Sequence, residues 1–325
     1  MALEPIVVTR GLKKSFRSKH GVIRAVDGVE LSVEPGEIFG FLGPNGAGKT
    51  TTLRMLTTLM PPDEGQAIVA GFNVATEPKK VRRSIGYVGQ NGGSDRPATG
   101  RENLILQGRL YGMNATEARE RAEELIRLLD LEDFADRIVY SYSGGQRRRL
   151  DVAIGLVNRP KVLFLDEPTT GLDLQNRANL WVQIKKLKSE GATIFLTTHY
   201  LEEADALSDR LAIMDHGRIV TEGTPEELKK EVANDCITIG VEHPVENVPV
   251  LKDLFKDRDY VLDMTEEQER LKLCVSDFAT ALPRVMGQLE QENISLETVK
   301  LSETTLDDVF LQKTGYSLRD LTAEE

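Results

Sequence analysis

The stretch that decides the fold is Gly43-Pro-Asn-Gly-Ala-Gly-Lys-Thr50, a glycine-rich loop that ends in a lysine and a hydroxyl residue. It follows an apolar, strand-like run, Ile38–Leu42, and precedes residues 51–60, whose leucine spacing predicts a helix. The backbone N–H groups of such a loop form a nest for a phosphate at the N-terminus of the helix. Lys49 can reach the terminal phosphates, and the Thr50 hydroxyl can hold Mg²⁺. The sequence therefore predicts a nucleotide-phosphate site in an α/β fold.

A second acidic site follows another strand-like run. Residues 162–165 are continuously apolar, as in a parallel strand that is buried on both faces, and Asp166 and Glu167 come directly after them. Ligands of open α/β sheets bind outside the carboxyl ends of the strands. We expect Asp166 to hold Mg²⁺ and Glu167 to orient and polarise an attacking water. Taken alone, Asp-Glu-Pro would also fit a polar turn that closes a strand, and the phosphate loop favours the acidic site.

A third element, Ser143-Gly-Gly-Gln146, has the spacing of a helix capping box. One interpretation is a well-capped helix that runs to Asn158 and has no other role. However, Gly144 and Gly145 weaken a helix start, and what they offer is backbone N–H groups that a phosphate can approach. A single nucleotide has no evident use for two such sites in one chain. A symmetric dimer, in which each chain lends its second site to the other, resolves this.

Together these residues resemble the ATP-binding subunit of ABC transporters over roughly residues 4–230. The glycine-rich loop matches Walker A, residues 163–167 match Walker B, and Ser143–Gln146 match the signature motif, with Tyr142 where the family usually has leucine. Gln90 matches the Q-loop, Asp173 the D-loop, and His199 the switch histidine.

The resemblance implies a role for each of these positions. The implied catalytic residues are Glu167, His199 and Gln90. The implied ATP-binding residues are Phe16, Gly43, Pro44, Asn45, Gly46, Ala47, Gly48, Lys49, Thr50 and Thr51. Those implied to bind the other chain's ATP are Ser143, Gly144, Gly145, Gln146 and Asp173, and the implied Mg²⁺ ligands are Thr50, Gln90 and Asp166. Phe16 would stack on adenine, although an aromatic residue in an N-terminal strand would also fit a core position, as His199 would fit a structural role.

Composition limits the classes of function. The net charge of −11 and pI near 5.1 argue against a nucleic-acid-binding surface, which would be basic. The two cysteines, Cys236 and Cys274, fit no metal-binding spacing and favour a reducing, cytosolic location. No run approaches 18 apolar residues, and the N-terminus lacks the pattern of a signal peptide. A transporter role therefore requires a separate membrane protein.

Length and patterning predict two domains in the 325 residues. We expect an ABC-type P-loop NTPase at 4–232, with a parallel core sheet, an N-terminal antiparallel β subdomain and a helical subdomain at about 91–158. Asp215-His-Gly217 predicts a tight hairpin. Residues 233–325 predict a small α+β domain, for which a ferredoxin-like arrangement is one candidate. Residues 147–151 and 305–315 are similar to those of daunorubicin-type exporters.

These features predict the ATP-hydrolysing subunit of an exporter for a drug, antibiotic or lipid-like substrate. It would act as a homodimer on the cytoplasmic face of the membrane, with an ABC-2-type permease and no nucleic acid as partner. One alternative is a soluble ABC ATPase that acts on ribosomes or DNA, but such relatives usually carry two cassettes or a coiled-coil insertion. The other is a regulator that binds ATP without hydrolysis, which the intact Glu167 and His199 argue against. The transported molecule stays open.

Overall fold

The computed structural model describes residues 4–19, 21–232, 235–267, 270–292, 294–302 and 304–317. The chain divides into two compact units, one that ends at Pro225 and a second that spans Glu226–Ser317. The domain boundary that we place after residue 232 stays a prediction, because compactness alone groups residues 226–232 with the second unit. In the described ranges, no helix combines the length and the apolar character that a membrane crossing requires.

The strands of the first unit form two sheets. In chain order they are β1 (Val7–Ser18), β2 (Gly21–Val33), β3 (Ile38–Leu42), β4 (Glu64–Val69), β5 (Phe72–Asn73), β6 (Ile85–Val88), β7 (Val162–Asp166), β8 (Thr193–Thr198), β9 (Arg210–Asp215) and β10 (Arg218–Gly223). The order β2-β1-β4-β5 makes an antiparallel sheet, as expected for the N-terminal subdomain. The order β10-β9-β3-β8-β7-β6 makes a second sheet that is parallel except for β10.

The three central strands of the larger sheet explain where its site lies. Every residue of β3, β7 and β8 is buried, because the sheet is covered on both faces. Successive residues alternate between two cores, so that Phe164 packs in one core and Leu163 and Leu165 pack in the other. The parallel direction brings the carboxyl ends of these strands to one edge. The β9–β10 hairpin is closed by His216 and Gly217, both with positive φ, as a tight turn of this kind requires.

Helices connect the strands. Those of the first unit are α1 (Lys49–Leu56), α2 (Pro78–Ser84), α3 (Gly100–Leu110), α4 (Ala115–Leu128), α5 (Gly144–Leu156), α6 (Leu174–Ser189) and α7 (Leu201–Leu207). Helix α1 begins two residues before the predicted 51–60 and ends four residues earlier, because Thr58 turns to φ 62°, outside the helical region. Helices α3, α4 and α5 form the predicted helical segment.

The second unit is ferredoxin-like. Its elements are α8 (Pro225–Val232, of which Pro225 belongs to the first unit), β11 (Asp235–Val241), α9 (Pro244–Phe255), β12 (Val261–Glu267), β13 (Arg270–Val275), α10 (Phe278–Gln291), β14 (Leu296–Ser302) and α11 (Leu306–Thr314). From β11 to β14 the order is βαββαβ, and the antiparallel sheet runs β12-β13-β11-β14.

Two features of this unit were not predicted. No helix was predicted at α9, whose interior contains Pro249, a residue without the N–H that a helix uses. Packing of Leu251 and Phe255 in the core outweighs that cost. Cys236 and Cys274 form a disulfide between β11 and β13, which the reducing environment inferred from the sequence did not lead us to expect.

Candidate functional site

The glycine-rich loop between β3 and α1 is tightly enclosed. Gly48 has φ 110°, and a Cβ at this position would lie 2.2 Å from the carbonyl oxygen of Ala25, so only glycine fits. Lys49 follows with 4% of its surface exposed. Its Nζ donates to the carbonyl oxygens of Gly43 at 2.7 Å and Pro44 at 3.0 Å. The loop therefore holds one buried ammonium group at the start of α1.

This ammonium group faces the acidic end of β7. Lys49 Nζ lies 3.6 Å from Glu167 Oε1, and both side chains are less than a tenth exposed. Burial lowers the pKa of Lys49, and the carboxylates of Glu167 and Asp166 only partly oppose that effect. A further negative group, such as a phosphate, would stabilise the charged form of Lys49.

Asp166 is held by two hydroxyl groups. Its Oδ1 accepts from Thr197 Oγ1 at 2.8 Å and from Thr50 Oγ1 at 3.1 Å. Burial raises the pKa of Asp166, while these hydrogen bonds oppose the rise. Sequence reasoning missed Thr197, although the register that pairs it with Asp166 follows once β7 and β8 are neighbours. The oxygen donors of Thr50 and Asp166 suit a hard cation.

Glu167 is the most constrained residue of the site. Its φ of 45° lies in the left-handed region, which a non-glycine residue adopts only at a cost. Its Oε2 accepts from Thr170 Oγ1 at 3.2 Å and lies 3.3 Å from His199 Nδ1. The latter approach is not aligned as a hydrogen bond, and Nδ1 has no hydrogen-bond partner in the part of the chain that the structure describes. Burial alone would raise the pKa of Glu167, but the nearby imidazole of His199 and the ammonium group of Lys49 outweigh it, so the pKa is lowered.

A cavity of about 510 Å³ opens over the loop. Its lining residues are Phe16, Ala25, Pro44, Asn45, Gly46, Ala47, Gly48, Lys49, Thr50, Thr51, Gln90 and Glu167. Phe16 is 38% exposed on β1 and is absent from the buried cores, so the core interpretation of this residue is not supported. Gln90 also lines a neighbouring cavity of about 330 Å³ beside Asp166. The structure therefore brings together the predicted residues of the nucleotide loop, while their individual roles stay predictions.

The residues expected to act on the other chain's ATP lie elsewhere. None of Ser143–Gln146 or Asp173 is among the described residues that line this cavity. The predicted capping box is present, since Ser143 Oγ accepts from Gln146 N at 3.2 Å and Gln146 Oε1 accepts from Ser143 N at 3.0 Å. Ser143, Gly144 and Asp173 are exposed. They form a second group of predicted residues, separate from the first.

Asn176 links the members of this second group, and sequence reasoning missed it. Its backbone N–H and side-chain amide donate to Asp173 at 2.8 and 2.7 Å. A Cβ on Gly145 would lie only 2.1 Å from Asn176 Oδ1, whereas a Cβ on Gly144 would make only an ordinary contact at 3.5 Å. Gly145 is therefore required by packing. Gly144 is the glycine that leaves exposed backbone.

Arg148 on α5 is a further residue that the sequence could not single out. It is 7% exposed, whereas its neighbours Arg147 and Arg149 are only partly buried. Which arginine of the three points inward depends on how α5 is rotated against the sheet.

Residues 26–170 match the family model described as ABC transporter, and residues 223–314 match the C-terminal domain described as ATP-binding protein DrrA1-3-like. The first match includes the glycine-rich loop, Gln90, Ser143–Gln146 and Glu167.

Similar relatives cover nearly the whole chain. The daunorubicin resistance ATP-binding protein DrrA2 of Streptomyces coeruleorubidus is 43% identical over 312 residues, which cover 96% of this chain and 97% of that protein. The Nod factor export ATP-binding protein I of Ralstonia nicotianae is 38% identical over 318 residues, covering 97% and 96%. A solved dimeric structure of an ATP-binding cassette, in a post-hydrolysis state with ADP and phosphate, matches with a TM-score of 0.61 at 29% identity. It covers 67% of this chain and 98% of that one.

Proposed function

This chain belongs to the family of ABC transporter ATP-binding proteins, and on that premise we propose that it drives the export of a drug, antibiotic or lipid-like molecule through a separate ABC-2-type permease. It is an ATPase of this family. The observation that supports ATP hydrolysis at this site is the position of the Glu167 carboxylate, which lies 3.6 Å from Lys49 Nζ and 3.3 Å from His199 Nδ1 beside the glycine-rich loop.

This arrangement suits phosphoryl transfer to water. Phosphoryl transfer depends chiefly on positioning and on neutralising charge. The ammonium group of Lys49 and the N–H groups of the loop would hold the β- and γ-phosphates. Glu167, being charged, would orient the attacking water and accept its proton, and His199 would hold the γ-phosphate and the same water. Phe16, on the rim of the cavity, would stack on adenine.

Thr50, Asp166 and Gln90 fit a magnesium ion, because all three offer oxygen ligands at the edge of the cavity. When bound, Mg²⁺ would neutralise part of the phosphate charge. Lys49, Glu167 and His199 would act on the phosphates and the attacking water directly.

We further propose a head-to-tail homodimer. Ser143, Gly144 and Asp173 lie on exposed surface outside their own chain's nucleotide cavity, which suits contact with a second copy. The solved cassette that this chain resembles is described as dimeric. In such a dimer, each ATP would lie between the Lys49 loop of one chain and the Ser143 helix of the other.

A cysteine cross-link tests the dimer directly. Asn45 and Gly144 are both exposed, and Asn45→Cys with Gly144→Cys in one chain, on a Glu167→Gln background, should give a covalent dimer only when ATP is added. The matched control replaces Gly144→Cys by Glu120→Cys on α4, which is also exposed. A bond that forms only within single chains would exclude the head-to-tail arrangement.

The export role rests on the names of the relatives, which include a daunorubicin resistance protein and a Nod factor export protein. We place the protein on the cytoplasmic face of the membrane, bound to its permease. Inverted vesicles that contain the permease and this chain should accumulate the substrate when ATP is supplied, and vesicles with Glu167→Gln should not. Accumulation that continues with Glu167→Gln would contradict the coupling of transport to this site. No specific observation favours a role on ribosomes or DNA.

A further inference from the structure

We propose that Arg148 and Asp151 are positioning residues that tie the Gln90 loop to helix α5, so that the signature end of α5 and the Gln90 loop move together. Both residues belong to the segment 147–151, which the catalytic roles above do not use. The inference rests on the proposed function, because it concerns how one nucleotide site of the dimer senses the other.

Arg148 anchors the near side of the loop. Its guanidinium donates to the carbonyl oxygens of Gly89 at 2.7 Å, Pro168 at 2.7 Å, Asp166 at 3.0 Å and Glu167 at 3.3 Å. Burial lowers the pKa of Arg148, and carboxylates nearby, Asp151 first among them, oppose the shift. Only the planar, five-donor guanidinium can satisfy several carbonyls in different directions at once. One side chain of α5 thus holds both the end of β7 and the residue directly before Gln90.

Asp151 anchors the far side. It lies three residues further along α5, is 3% exposed, and its Oδ1 accepts from the backbone N–H groups of Gly93 at 3.0 Å and Ser94 at 3.1 Å. Gly92 has φ 72°, and a Cβ there would lie 2.3 Å from Asp151 Oδ2. Hydrogen bonds from backbone N–H groups to a buried carboxylate are stronger than neutral ones. The loop is therefore packed closely against this carboxylate.

Helix α5 connects the signature residues at its start with the loop that carries Gln90. Gln90 lies between Gly89, held by Arg148, and residues 93–94, held by Asp151. The same helix begins with Gly144, and Asp151 lies seven residues on, about 10 Å along the axis. The helix is continuous over its 13 residues, so that its backbone hydrogen bonds connect the Gly144 end mechanically with Asp151. When the Ser143 end of α5 meets the partner's ATP, the loop that carries Gln90 shifts with it toward or away from its own nucleotide.

Hydrogen exchange in the full chain tests the clamp without relying on the dimer. In the nucleotide-free protein, Asp151→Ala should speed the exchange of the Gly93 and Ser94 amides about ten-fold or more, because their charged acceptor is lost. Asp151→Asn keeps an oxygen acceptor and should have a smaller effect. The matched control is Arg149→Gln on the same helix, whose guanidinium donates instead to Asp130 O at 2.9 Å, and it should leave the two amides unchanged. Exchange that is unchanged in Asp151→Ala, or that rises equally along all of α5, overturns the clamp.

The coupling is tested on the Glu167→Gln background. Adding ATP should slow exchange at Gly93 and Ser94 in the clamped protein, and Asp151→Ala should still form the ATP-bound dimer but lose that response. With Glu167 intact, Asp151→Ala should lower kcat about ten-fold and change the KM for ATP less than about three-fold, with partial rescue by Asp151→Asn. An ATP response that persists in Asp151→Ala, or an unchanged kcat, refutes the coupling. Absence of any ATP-bound dimer would refute the proposed dimer and the coupling together, while the nucleotide-free exchange would still decide the clamp.

Discussion

Glu167→Gln is the sharpest test of the catalytic assignment, because it changes the chemistry of one atom at nearly constant shape. The glutamine can still accept from Thr170 Oγ1, which lies 3.2 Å from Oε2 in the native protein. It cannot accept a proton, and it removes the negative charge 3.6 Å from Lys49 Nζ. Lys49 keeps its hydrogen bonds to the carbonyls of Gly43 and Pro44. The fold and the phosphate loop should therefore survive the change.

The expected loss of turnover is large. Removing a positioned general base typically costs about 10²–10⁴-fold in rate, or about 3–5 kcal/mol in the activation barrier. ATP affinity should be equal or tighter, because the γ-phosphate no longer faces a second negative charge beside Lys49. The variant should therefore separate binding from hydrolysis and accumulate as an ATP-bound dimer.

Phosphate release at saturating MgATP measures turnover, and binding of a fluorescent ATP analogue measures affinity. Gel filtration detects the ATP-bound dimer. The matched control is Glu202→Gln, an exposed carboxylate at the start of α7, which should behave like the native protein. Turnover within a few-fold of native in Glu167→Gln would refute the role of Glu167. A parallel loss of nucleotide binding would show instead that the substitution disturbs the loop.

Further substitutions test the other groups. Lys49→Ala should bind the fluorescent analogue much more weakly than Glu167→Gln, because the ammonium contacts the phosphates before and during reaction, and equal affinities would exclude that contact. Gly145→Ala places a Cβ 2.1 Å from Asn176 Oδ1 and should cost about 1–3 kcal/mol of stability, which thermal unfolding would show as a lower Tm. In Gly144→Ala the new Cβ makes only an ordinary contact at 3.5 Å, so this variant should unfold at the native temperature or above. It should nevertheless hydrolyse ATP more slowly. A lower Tm in Gly144→Ala together with a native Tm in Gly145→Ala would contradict these assignments. Because the pKa of Glu167 is lowered, its ionised carboxylate contributes fully to the stability of the fold at pH values above its ordinary pKa of 4.5. That contribution is lost only as the pH falls through the lower pKa of the folded protein. A pH profile of kcat/KM, which reports the groups of the free protein, should therefore show no loss from Glu167 at pH values above 4.5, and an acid limb nearer neutrality that disappears in Glu167→Gln would be inconsistent with that shift.

Parts of the fold and site with a strong local pattern were predictable. The capping box of Ser143 with Gln146 joins residues only three apart, and the turn at His216-Gly217 depends on its own backbone. The buried runs of β3 and β7 show that they are central strands, because residues covered on both faces are apolar throughout. Helix α9 was not predicted, and the packing of its apolar residues in the core, which involves distant parts of the chain, offsets the cost of the proline in its interior.

By itself, the sequence determined that a glycine-rich loop lies between a buried strand and a helix and that an acidic pair ends another buried strand, since both signals lie within a few neighbouring residues. The tertiary structure alone decided that Thr197 hydrogen-bonds Asp166, that Arg148 turns inward, and that Asn176 occupies the space beside Gly145. Each of these contacts joins elements far apart in the chain. They depend on strand order, register and helix rotation, which are set when the two cores close around the sheet and which local spacing does not encode.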